Sequence, residues 1–136
     1  MFKLTIVTPE KKLVVDQEIL EVTVPAFVGT LNILPGHAML ITALETGILR
    51  WKFKGQDKMF KAVVSWGYCE VHPQGVNILA NIVDMPEEIK VEERKQWIIE
   101  AEKKLASVSL DDANFEIQRR EIARARAGID LLDEKY

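Results

Sequence analysis

Two periods run along this chain of 136 residues: apolar and polar residues alternate one by one up to about Asp84, and beyond it apolar residues recur every three or four positions. Phe2, Leu4 and Ile6 alternate with Lys3, Thr5 and Val7 before Pro9-Glu10-Lys11 turns the chain into Leu13-Val14-Val15. Leu20, Val22 and Val24 alternate with Glu21 and Thr23, and Pro25 is expected to close that strand. Leu49, Trp51 and Phe53 stand against Arg50, Lys52 and Lys54, and after Gly55-Gln56-Asp57 the residues Phe60, Ala62 and Val64 stand against Lys61 and Val63. These two runs predict a hairpin with a water-facing cationic side. Ser65 to Tyr68 continues as strand with a bulge or close approach at Gly67. Past the turn Pro73-Gln74-Gly75, Val76, Ile78, Ala80 and Ile82 alternate with Asn77, Leu79 and Asn81. Many short antiparallel strands at this spacing predict a β-sandwich or flattened barrel.

At Asp84-Met-Pro-Glu-Glu88 the β-branched residues thin out, and Glu, Lys, Arg and Ala take over. A helix is predicted from about Val91 to Leu105, with Val91, Ile98, Ala101 and Leu105 on one face. Residues 107–112 interrupt it, and Ser109 with Asp112 supplies an N-cap pattern for a second helix. There Phe115, Gln118, Ile122, Ala125, Ile129 and Leu132 form a narrow seam of the coiled-coil kind. Two such helices on a short loop make an antiparallel hairpin that needs a tertiary partner. The expected organisation is a β domain over 1–84, a linker over 85–90 and a helical hairpin over 91–136.

The stretch Gly29 to Leu44 organises the front part: an apolar run broken by Pro35-Gly36, a pair that reads as a tight turn between two extended pieces. A turn carrying Leu31, Ile33, Leu34, Ala38, Met39 and Leu40 is either a buried corner or a docking site. Here the chain resembles the epsilon subunit of F-type ATP synthases, whose members carry G-x-L-x-I-L-P-G-H-A-P-L-hydrophobic-T. The matching residues are Gly29, Leu31, Ile33, Leu34, Pro35, Gly36, His37, Ala38, Leu40 and Thr42, with Met39 in place of a second Pro. Pro86-Glu87-Glu88-Ile89 and the Ala-Arg-rich second helix extend the resemblance over the whole chain. It implies a non-catalytic rotor part with three kinds of partner: the gamma subunit, the c ring and the beta and alpha subunits. The c-ring residues would be Val28, Gly29, Leu31, Leu34, Gly36, His37 and Met39, and the gamma-facing strand would offer Val76, Ile78, Ala80 and Asn81. The tail would meet the catalytic head through Arg119, Arg120, Arg124 and Arg126 and so inhibit ATP hydrolysis, its seam finding burial in two places. Gly128 inside that helix would hold the two states close in energy, or permit a close helix contact.

Composition narrows the chemistry. A net charge of −3 with acids scattered among the tail arginines (Glu116, Glu121, Asp130, Asp133, Glu134) speaks against nucleic acid. No apolar run approaches the roughly 20 residues of a membrane span. The strand-like start lacks the blocks of a signal peptide, so the chain is expected to be cytosolic, at the inner face of the plasma membrane only through its complex. The single Cys69 fits a reducing compartment and a buried position. His37 and His72 have no neighbours at metal-ligand spacing, and no phosphate loop or catalytic signature is present. Some members of the family bind ATP through an Ile/Leu-Asp-x-x-Arg-Ala motif. Here Ile89 is followed by Lys90 for Asp, Glu93 for Arg and Arg94 for Ala, which predicts no tight ATP site and no cofactor. The competing readings are a free-standing β-sandwich enzyme and a scaffold or binding protein with a helical interaction tail.

Overall fold

Seven strands carry the period-two pattern and two helices the longer one, in a computed structural model that describes residues 2–107 and 112–133. The strands are β1 (Lys3–Val7), β2 (Lys12–Ala26), β3 (Gly29–Ile33), β4 (Leu40–Leu44), β5 (Gly47–Phe53), β6 (Met59–His72) and β7 (Gly75–Asp84). A 3-10 turn at Pro86–Glu88 leads to α1 (Val91–Ser107) and α2 (Asp112–Asp133). The expected cap at Ser109 lies outside the described residues.

β2 and β6 hold the architecture together. At 15 and 14 residues each is far longer than β1, β3 or β4, and each takes part in both layers of the sandwich. One layer joins β3, the second half of β2, β5 and the first half of β6; the other joins β4, the second half of β6, β7, β1 and the first half of β2, with the end of β7 running on along the first half of β6. Pro25 does not end β2, which runs on to Ala26 paired with Gly29. A strand that serves two layers must bend. The bends fall at Asp16 and Trp66, the two non-glycine residues with positive φ among those described. The Asp16 amide donates to Thr5 Oγ1 at 3.1 Å, which occupies the backbone group that the bend frees.

At Trp66 the inward parity of β6 reverses. Ala62 and Val64 point into the core before it, Cys69 and Val71 after it. β7 reverses opposite: Val83, paired with Val64, and Ala80, paired with Gly67, both face inward. Gly67 is the close approach expected at this point, since a Cβ there would collide with the backbone of Leu79 and Ala80. Between the layers Leu4, Ile6, Val22, Val24, Leu49, Val64, Val71, Val76 and Ile78 are essentially inaccessible to solvent. Trp51 stacks on Phe60 with centroids 5.9 Å apart.

The outer face of β5 and β6 is not water-facing. Lys61 and Val63 are buried there because α2 lies across both strands. Val63 packs with Ile89, Leu131, Ile48 and Ala127, so the segment joining the two halves is itself part of this second cluster. α2 therefore has two covered faces. Ile122 and Ala125, on the side away from the sheet, are buried against α1, while Ala127 and Leu131 meet the sheet. The ends of the predicted seam, Phe115 and Leu132, are exposed, and Leu131 takes the buried place. α1 follows its predicted face through Ile98, Ala101 and Leu105, with Arg94 inserted into it and buried.

Gly67→Ala is expected to lower stability by about 1–3 kcal/mol or more, the scale of overpacking, because rigid backbone faces the added methyl. Thermal unfolding checks it, and an unchanged midpoint would refute the close-approach reading.

Candidate interaction surfaces

The turn at Pro35-Gly36 forms as expected. His37 N–H donates to the Leu34 carbonyl at 3.1 Å, and Gly36 at the third position has φ +89. These are the marks of a type II turn, which needs positive φ there. The turn is an arch between layers and not a hairpin, since β3 pairs with β2 and β4 pairs with β6. The residues expected at the c ring consequently separate. Val28 and Gly29 sit at the β2–β3 tip, while Leu34, Gly36, His37 and Met39 follow the opposite end of β3, roughly 16 Å away for a five-residue strand. Phe27 and Val28 at the tip are 71% and 78% exposed, Met39 is 73% exposed, and Leu31 is half-buried against the core.

Of the residues expected to face gamma, Val76, Ile78 and Ala80 are buried in the core; Asn81 is exposed. Alternation marks the inside of a strand, and the outside here is the other parity. Ile41, Ala43, Tyr68, Glu70, Asn77 and Leu79 share one outer face across β4, β6 and β7, with Ala43 opposite Tyr68 and Tyr68 opposite Leu79. Ile41, Tyr68 and Leu79 are all more than half exposed. Beside them Trp66, Tyr68 and Leu79 line a shallow apolar hollow of about 410 Å³ closed by Val7 and Pro9.

The four tail arginines are engaged within the chain. Arg119 makes a two-point contact with Glu116 at 3.1 and 2.9 Å, and Arg126 reaches Glu102 of α1 at 3.2 Å. Arg120 lies over the Trp66 ring at 5.0 Å. Arg124 is largely buried, and its Nε and Nη2 donate to Asp84 Oδ2 and Oδ1, both at 2.7 Å. Arg94 Nη1 donates to the same Oδ2 at 3.3 Å, and its Nε is buried without a hydrogen-bond partner. Both guanidiniums flank Trp97, at 4.1 Å for Arg94 and 5.2 Å for Arg124.

Asp84 is thus a buried carboxylate that binds both helices to the last strand. Burial pushes its pKa up, but hydrogen bonds and charge from Arg124, with those of Arg94, outweigh that and hold the carboxyl below its ordinary value. The sequence pattern did not single out Asp84; the available signal was an acid ending an alternating strand, with Arg94 ten residues on. The substitutions in the family's ATP motif acquire a local meaning, because Arg94 is 3% exposed and spent on Asp84, while Lys90 and Glu93 face solvent. Cys69 is buried in the core and its thiol is pushed up to about 12, chiefly by burial. Among the described residues no cluster of His, Cys, Asp and Glu fits a metal, and no helix is long and apolar enough to cross a membrane.

Residues 1–85 match the family described as ATP synthase, Delta/Epsilon chain, beta-sandwich domain. The chain is similar to the ATP synthase epsilon chain of Bdellovibrio bacteriovorus, 55% identical over 98% of this chain and 95% of the relative. It is also similar to that of Geobacter metallireducens, 35% identical over 90% and 87%. Its fold is that of a chain in the cryo-EM structure of the Euglena gracilis mitochondrial ATP synthase, with a TM-score of 0.84, 23% identity and coverage of 96% and 81%.

The two arginines at Asp84 are expected to differ in worth. Arg124→Met leaves a buried carboxylate with one long contact and should weaken helix docking by about 3–5 kcal/mol; Arg94→Met removes an under-satisfied charge and should change it by less than about 1 kcal/mol. Hydrogen exchange of α2 amides reads both, and equal effects would refute this account. A carboxyl depressed on folding stabilises above its unfolded pKa and stops doing so as pH falls through the folded one. Docking should therefore be level through neutral pH and weaken only in acid below the ordinary carboxylate range, as followed by the Trp97 indole resonance.

Proposed function

The chain belongs to the ATP synthase delta/epsilon family, as a non-catalytic epsilon chain of the central stalk, and from that membership we propose that it links the gamma subunit to the c ring and carries a releasable brake on ATP hydrolysis. The readings as a free-standing enzyme or scaffold give way to this membership. The supporting observation is the pair of separate exposed apolar surfaces on one stiff sandwich. Phe27, Val28 and Gly29, at the tip of a tight hairpin, make the c-ring end. Met39 and Ile41 run into the outer face of Tyr68, Leu79 and Asn81, which makes the gamma side. Burying three or four such side chains at each surface supplies about 1.5–3 kcal/mol apiece. Membrane association, at the cytoplasmic face of the inner membrane, is through these partners.

The helices are the brake. They rest on the outer face of β5 and β6, and Arg119, Arg120, Arg124 and Arg126 meet carboxylates of the catalytic beta and alpha subunits once the tail leaves that face. Guanidinium–carboxylate pairs suit a reversible contact because they are oriented and screened by salt. Arg124 must first give up Asp84, so docking and braking are mutually exclusive.

Full-length chain and chain truncated after Met85 are titrated into a cognate catalytic head depleted of this subunit, with ATP hydrolysis followed. Both should bind, and only the full-length chain should slow hydrolysis; equal rates would rule out the brake. In the assembled complex, Val28→Asp at the tip should uncouple ATP synthesis from the c ring at least severalfold, as a buried unpaired charge requires, while Leu34→Asp at the far end of β3 should not. The reverse order would move the c-ring contact to the Pro35-Gly36 arch.

A further inference from the structure

We propose that Asp84 is the internal latch of the helical tail: a side chain that fills, without any ligand, the only place where the last strand and both helices share a polar contact among the described residues, and whose neutralisation releases the hairpin as one unit. This rests on the reading of the tail as a mobile brake but concerns the docked state alone.

The geometry is that of a three-way joint. Asp84 comes from the end of β7, Arg94 from the first turn of α1 and Arg124 from the middle of α2. Two guanidiniums lie side by side against Trp97, and the carboxylate between them neutralises one of their two charges. Without that charge two cations would face each other in a site that solvent hardly reaches, with side-chain exposures of 3% and 18%. Leaving buried charges uncompensated is far more unfavourable than replacing a whole ion cluster with apolar side chains. Around the joint, the helices rest on an apolar cluster of Ile48, Val63, Ile89, Ala127 and Leu131, and Arg120 of α2 lies over the Trp66 ring. Gly128 lets α2 close on Ile89, where a Cβ would lie 3.3 Å from the Ile89 Cγ2. Apolar burial is non-directional, whereas a two-point carboxylate–guanidinium pair fixes an orientation.

Because Arg94 and Arg124 are both used internally, docking is set by the chain's own residues and does not wait for a phosphate ligand.

The full-length chain is compared with Asp84→Asn by hydrogen exchange, which reports α1, α2 and the strands separately. Asp84→Asn should speed exchange in both helices together, on the order of a hundredfold, and leave β1 to β6 unchanged. The triple variant Asp84→Leu, Arg94→Met, Arg124→Met should restore protection by replacing the ion cluster with packing. No change in Asp84→Asn, loosening of one helix alone, or loss of the strands as well would overturn the latch. MgATP added to the wild-type chain should leave exchange unchanged; added protection would mean that the guanidiniums take phosphate in preference to Asp84, and would also overturn it. In the assembled complex Asp84→Asn should lower ATP hydrolysis severalfold. If the hairpin opens and hydrolysis does not fall, the latch stands and the brake reading fails.

Discussion

A carboxylate shut away from water has to be matched charge for charge, and the arrangement of the two halves of this protein follows from that need. Asp84 ends the last strand at the edge of the sandwich, where a solvated acid would serve equally well. Covered by two helices, it must have a guanidinium, and it has two. Burial of the apolar surface under α2 is by itself non-directional. The two-point bond to Arg124 selects one orientation, and the stack on Trp97 holds the second arginine beside it. Hydrophobic burial favours contact of the hairpin with the sheet, and the ion cluster adds a directional contact to it.

The sandwich supplies the stiff frame on which that arrangement depends. β2 and β6 each cross from one layer to the other, so the layers cannot slide without breaking strands. Their bends at Asp16 and Trp66 turn side chains outward that uninterrupted alternation would have buried. Trp66 is one result: it sits at the bend, partly exposed, between the outer face of β6–β7 and Arg120 of the tail. The exposed apolar face and the contact with the tail thus share one residue.

Much of the sandwich was legible because alternation reports burial on one side of a strand. Val22, Val24, Leu49 and Trp51 behave as the pattern says. Alternation is silent about the opposite side, and there the reading went astray. Lys61 and Val63 looked like the wet face of a hairpin until α2 covered them, a long-range event with no local trace. Val76, Ile78 and Ala80, named as gamma-facing candidates with the family resemblance, lie in the core, since regular apolar spacing is the signature of the inside. In α2 the seam toward α1 showed through Ile122 and Ala125, but the face toward the sheet did not, since Arg124 stands in it where an apolar residue would have continued the stripe. A buried ion pair is hard to see in sequence because each partner looks like an ordinary solvated charge until the fold brings them together. The nucleotide motif shows the converse: its substitutions were plain in the sequence, and only the packing of Arg94 explained what that residue does.

Ile89 ties the connection between sheet and helices into the fold. It belongs to the segment between strand and helix, yet it is buried under Gly128 with Val63 and Leu131. While the helices are down, this connection is folded away and contributes no length. If the tail lifts as proposed, Ile89 is uncovered and the backbone from Asp84 to Val91 is freed, which when drawn out spans at most roughly 25 Å. On that reading the act that frees the helices would also lengthen their leash, and a tail too short to reach a distant surface at rest would gain that reach at the moment it lets go.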